Sequence, residues 1–217
     1  MQGPRSSEWI RLAVLGLGVS ALVVSVAAFS GREQAPRALT LDEKVQRGRH
    51  LVIVHVCGDC HGGFANPAAE GWLAGVMSPL QEFKIGPFTT RPRNITPDNA
   101  TGIGRFSERQ IFNALRYGLR PGETPDVEIT SSVPGEGNFP VNPKYLAPPM
   151  PWPAFRHMSD EDLWAIAAYL KHGVKPVSNR VADSEGPPDF WVSTYTPEFT
   201  GTYPAAPFPT AREVMPQ

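Results

Sequence analysis

Cys57-Gly58-Asp59-Cys60-His61 concentrates the chain's most distinctive chemistry in five residues. Two thiols three positions apart can each add to one vinyl group of a haem, and the adjacent imidazole then lies beneath the iron as its proximal ligand. Cys57 and Cys60 are the only two cysteines in 217 residues, so the motif uses every thiol of the chain. A Cys-x-x-Cys pair has other uses: a redox dithiol, half of a zinc site or an ordinary disulfide. A redox dithiol of the thioredoxin type needs a βαβ frame, and none is visible. A zinc site needs a second pair at short spacing, which His50, His55, His157 and His172 do not provide.

A haem iron held by one histidine leaves an axial position to fill. His/Met ligation gives an electron carrier of raised potential, and an open position gives ligand binding or catalysis. Met150 stands in Leu146-Ala147-Pro148-Pro149-Met150-Pro151-Trp152, where the prolines fix the backbone and remove amide donors. Such a stiff loop suits a thioether held against iron, and Met150 is the expected second ligand. Met158 precedes the Ser159 cap, where an apolar residue serves as a hydrophobic staple. Met77 and Met215 lack a comparable setting, and His157 is the histidine alternative to Met150.

The elements that must position these residues are three helices. One starts at the Thr40 cap with Glu43 as its partner, carries Val45, Gly48, Leu51 and Val52, and is expected to deliver Cys57 at its end. A second starts at Ser107 with Gln110, shows Ile111, Phe112 and Leu115 as a stripe, and stops at Gly118. The third starts at Ser159, whose successors Asp160, Glu161 and Asp162 suit the positive end of the helix dipole. It repeats Leu163, Ile166, Ala167 and Leu170 and ends at Gly173. Stretches 62–106 and 119–158 are rich in Gly and Pro, read as loops, and show no clear strand. Loops of that length need an organiser, and a buried haem would provide two faces for them.

Composition sets the bounds. Hydrophobic residues make up 41% and charged residues 19%, enough for a buried core, and a net charge of −1 offers no basic surface for nucleic acid. Leu12–Phe29 carries no charged side chain, with Arg5 and Arg11 before or at its start. The run is at the short end for a spanning helix and long for a signal peptide, and Val26-Ala27-Ala28 resembles a cleavage site. An uncleaved anchor and a cleaved signal both remain open, and both export residues 32–217, with the N-terminus kept inside by its positive charges. The expected division is an anchor or signal at 1–31, a linker at 32–39, a haem domain at 40–176 and an extended Pro/aromatic-rich tail at 177–217.

The order Cys57-x-x-Cys60-His61, Asn94-Ile95-Thr96-Pro97-Asp98, Thr101-Gly102-Ile103-Gly104, Pro149-Met150-Pro151 and Ser159-Asp160-Glu161-Asp162-Leu163 resembles a class I cytochrome c. More narrowly, it resembles the haem domains in cytochrome subunits of bacterial periplasmic alcohol, aldehyde and sugar-acid dehydrogenases, over about residues 40–176. The resemblance implies an all-α, cytochrome c-like fold around one covalent haem c, with the first and third helices crossing near Gly48 and Tyr169. Those subunits commonly carry three haem domains, whereas this chain has one attachment motif. The resemblance implies single-electron transfer, not catalysis, on the periplasmic side of the inner membrane, or in the soluble periplasm if the leader is removed. Its partner would be a periplasmic dehydrogenase or a respiratory complex. Two other readings are a haem enzyme with a replaceable distal ligand, for instance in sulfur-compound oxidation, and a docking subunit that uses the aromatic tail. Arg91, Arg93, Asn94 and Arg105 are candidate hydrogen-bond donors to haem propionates, and Trp152 is expected in the core more than at a haem edge.

Overall fold

The computed structural model describes residues 37–76 and 82–216. The expected anchor or signal at 1–31, most of the 32–39 linker and Met77 therefore lie outside the described residues. Among the described residues no helix is long and apolar enough to cross a membrane.

Helix α1 spans Leu41–Val54. Thr40 and Glu43 close a reciprocal capping box: the Thr40 hydroxyl accepts from the Glu43 amide and the Glu43 carboxylate accepts from the Thr40 amide. The helix does not carry through to Cys57. His55 ends it, Val56 turns left-handed at φ 52°, and Cys57–His61 forms a separate short helix, α2. A β-branched residue is costly in that region, and no Gly, Pro or Asn marks the break. Tertiary packing, not local preference, redirects the chain at Val56.

Two short strands follow, β1 (Phe83–Ile85) and β2 (Phe88–Thr90), paired antiparallel with Phe83 opposite Thr90 and Ile85 opposite Phe88. This hairpin lies in a stretch that reads as loop from sequence. Three-residue strands are too short to display an alternating pattern. Helix α3 spans Glu108–Tyr117, opened by the Ser107–Gln110 capping box and closed by Gly118 at φ 71°. A Cβ at Gly118 would also lie 2.3 Å from the Trp152 ring, so both conformation and packing demand glycine there. Helices α4 (Trp152–Phe155) and α5 (Asp160–Ala168) follow, and α5 continues into a π-helical turn over Tyr169–Gly173. A last short helix, α6, spans Pro197–Thr200.

The core forms where α1 crosses α5. Gly48 permits it: a Cβ there would meet the Ala165 carbonyl oxygen at 1.9 Å and Tyr169 Cβ at 2.7 Å. Val52, Leu163, Ala165, Ala167 and Ala168 are fully buried beside this contact. The small alanines let the backbones approach, and Leu163 with Ile111, Phe112 and Leu115 of α3 fills the remaining space. The Trp72 indole donates to the Tyr169 hydroxyl at 2.9 Å, which ties the loop after α2 into the same core. A second, smaller cluster of Leu119, Ile129 and Phe139 packs with Tyr117 and Tyr145 and anchors the long 119–147 segment on α3.

Residues 177–203 run back over this body. Asn179 donates to the carbonyls of Ala74 and Val76, Glu185 pairs through its backbone with Thr89, and Trp191 buries its ring against Phe88 at 4.8 Å. Tyr195 packs edge-on against Trp152 and Tyr145, and Tyr203 accepts from Arg116 at 2.6 Å.

Candidate functional site

Helix α2 presents the Cys-x-x-Cys-His residues through tight local packing. A Cβ on Gly58 would collide with the Phe64 carbonyl oxygen at 1.9 Å and the Trp72 ring at 2.5 Å. After His61 the chain reverses through Gly62 and Gly63, both at positive φ, and the Gly75 amide donates to the His61 carbonyl at 2.7 Å. These contacts fix the orientation of α2 against the core.

Cys57, Cys60, His61 and Met150 all line one cavity of about 660 Å³ with mostly apolar walls. That volume falls within the range of roughly 300–1,000 Å³ that holds cofactors. Val52, Ile95, Ile103, Phe155 and Leu170 contribute wall from the core side. His61 Nδ1 lies 2.7 Å from the Arg93 carbonyl oxygen. A carbonyl only accepts, so Nδ1 carries the proton and Nε2 keeps its lone pair, the tautomer that a metal-binding histidine requires. Burial also lowers the His61 pKa, against the smaller opposing effect of that hydrogen bond, and favours the neutral ring.

Burial pushes Cys57 up to about 11, and Cys60 is also raised, mainly by burial. A redox-active dithiol needs the reverse, a thiol pKa lowered toward neutrality. The two cysteines are not bonded to each other. Among the described residues no group of three or more histidine, cysteine or acidic side chains is placed to hold a metal ion, so a zinc site has no ligand set there.

The Met150 loop is held from both sides. Before it, the Leu146 amide donates to Gly118 at 2.7 Å, and the Tyr145 ring stacks on Trp152 at 5.6 Å. After it, the Trp152 amide closes onto the Met150 carbonyl at 2.8 Å. Trp152 itself is buried among Tyr145, Tyr195 and Gly118 and does not line the cavity. The other described methionines are elsewhere: Met158 packs on the core away from the cavity, and Met215 is exposed. His157 is exposed beside Tyr203.

Asn94 is buried, and its amide nitrogen lies within hydrogen-bond reach of Thr101 Oγ1 and the carbonyls of Val177 and Asn179, while its oxygen accepts from the Thr96 amide and hydroxyl. Its side chain bonds to both the loop and the tail. Asp98 accepts from the Ala100 amide and from the amide and hydroxyl of Thr101. Together these bonds shape the 94–104 loop so that Ile95 and Ile103 face the cavity. Sequence reasoning missed Arg180, which also lines the cavity from a tail segment with no local signal. His55 lines it too, with Nδ1 donating to the Leu51 carbonyl at 2.9 Å and its ring edge-on to Phe155.

No family model matches the chain. It is similar to the gluconate 2-dehydrogenase cytochrome c subunit of Pantoea cypripedii, 30% identical over 199 residues that make up 87% of this chain and 37% of that protein. It is 33% identical over 158 residues to the cytochrome c subunit of the alcohol dehydrogenase (quinone) of Gluconacetobacter polyoxogenes, 71% of this chain and 28% of that one. It is 30% identical over 136 residues to the fructose dehydrogenase cytochrome subunit of Gluconobacter japonicus, covering 61% and 22%. The chain thus spans about a third or less of the length of these curated relatives. The proteins to which this chain is similar are cytochrome subunits of bacterial dehydrogenases.

Proposed function

We propose that this chain is a single-haem c-type cytochrome that passes single electrons between a dehydrogenase or respiratory complex and its redox partner. Cys57 and Cys60 would hold the ring through their sulfur atoms, and His61 and Met150 would supply the nitrogen and sulfur ligands to its iron. The convergence of both thiols, the His61 lone pair and the Met150 thioether on one apolar cavity carries this reading. The bound group would supply an iron that cycles between ferrous and ferric states. The protein's part is to fix both ligands, exclude water with the Ile95, Ile103 and Leu170 walls, and hold the His61 tautomer through Arg93. With His61 and Met150 both committed to such a group, the chain would relay electrons rather than transform substrate. The fold is all-α in its core, cytochrome c-like around the ligand, with the β1–β2 hairpin as an addition. The haem domain is exported and faces the periplasm, with residues 1–31 as anchor or removed leader.

Expression with a c-type maturation system tests the assignment. The holoprotein should carry one haem per chain that survives denaturation, and replacing both Cys57 and Cys60 with alanine should abolish it. Met150→Ala should remove the sulfur-to-iron charge-transfer band and lower the potential. An unchanged spectrum would move the distal ligand elsewhere. The alternative role as a docking subunit drew on the aromatic tail. Of those aromatics, Trp191 and Tyr195 pack on the chain's own body, whereas Phe190, Phe199, Tyr203 and Phe208 stay exposed.

A further inference from the structure

Four arginines line the cavity: Arg91, Arg93, Arg105 and Arg180. Two are already committed. Arg91 pairs with Glu82 and with Glu185 at 2.9 Å, and it donates to the Asp183 carbonyl. Arg93 donates to the carbonyls of Val181 and Ala182 and pairs with Asp183 at 3.4 Å. Asp183, the acidic residue at the cavity, is thereby matched. Arg105 and Arg180 differ. Among the described residues neither has an ion pair or a side-chain hydrogen bond, and Arg105 only lies over the Phe106 ring at 4.5 Å. Two cations without acidic partners thus border a cavity whose walls are otherwise mostly apolar.

A haem ends in two carboxylates, and a guanidinium suits a carboxylate in both charge and geometry. Resting on the haem reading above, we infer that Arg105 and Arg180 bind the propionates. The tail is then a wall of the cofactor site as well as a cover, because Arg180 comes from the strap that Asn179, Arg91 and Arg93 hold in place. This reassigns the sequence-level candidates: Arg91, Arg93 and Asn94 hold the strap, and the strap supplies the second anion-binding residue.

The test uses the holoprotein with R105Q, R180Q and, as a control distant in sequence and exposed, R212Q. Resonance Raman spectroscopy reads the propionate bending band, and redox titration reads the potential. R105Q and R180Q should each move the band and shift the potential downward, since losing a nearby positive charge favours ferric iron. R212Q should do neither, and R180K should restore most of the potential by keeping the charge. An unmoved band and potential in R180Q, with covalent haem present, would overturn the assignment while leaving the cytochrome reading intact. Absence of covalent haem from the unsubstituted chain would overturn both.

Discussion

The crossing of α1 on α5 and the seam between the 177–185 strap and the 91–101 loop are held by opposite means. At the crossing, Gly48, Ala165 and Tyr169 meet at backbone distance, and the surrounding side chains are almost all apolar. At the seam, Asn94, Thr96, Arg91 and Arg93 make directional bonds to strap backbone. Apolar contact is non-directional but sensitive to volume. Polar contact tolerates volume but requires each donor to keep its acceptor. The first region should therefore fail by overpacking and the second by loss of a partner.

Gly48→Val sets the upper end of this contrast. Its side chain must displace the Ala165 backbone, and we expect a loss of about 3 kcal/mol or more, read by chemical denaturation of the holoprotein. Asn94→Ala should cost about 2–3 kcal/mol, because several buried groups lose their partner together. It should also raise hydrogen exchange along 177–181, whereas Gly48→Val should not act on that segment selectively. Tyr169→Phe removes one bond and leaves the Trp72 N–H buried. A cost of about 1–2 kcal/mol is expected at the crossing, and a neutral result would show that water replaces the hydroxyl. Glu185→Ala should cost less than about 1 kcal/mol and lose even that in high salt, since its side chain is largely exposed.

The smallest effect concerns pH. The Thr101 hydroxyl and amide, with the Ala100 amide, hold the Asp98 carboxyl below its ordinary range. A depressed folded-state pKa contributes stability that is fully present above the ordinary value of about 4 and is lost as pH falls through the depressed one. The melting temperature of Asp98→Asn should therefore fall less steeply than that of the unsubstituted chain as pH drops below about 4. Parallel acid limbs would place the acid sensitivity elsewhere.

Much of the site and frame was legible locally. Thr40, Ser107 and Ser159 each cap the helix that their sequence context predicts, because a cap is a bond between residues three apart. Gly118 reads as a helix stop and adopts the left-handed conformation that the stop requires. The Cys57–His61 motif is itself a contiguous signal. The break at Val56 was not legible, since nothing at 55–56 disfavours a helix and only packing around Gly58 and Trp72 reverses the chain. The β1–β2 hairpin was hidden by its length, and the roles of Asn94 and Arg93 by partners more than eighty residues away.

The sequence by itself determined which atoms are available for chemistry: two thiols, the imidazole beside them, and a thioether framed by prolines. It also determined the helices, whose caps and apolar stripes are local or periodic. Only the tertiary structure decided that Met150 shares a cavity with His61. Only it committed Arg91 and Arg93 to the strap and left Arg105 and Arg180 without acidic partners among the described residues. The physical reason is that competition among charges for partners is settled by distance in space, and composition along the chain does not encode that distance.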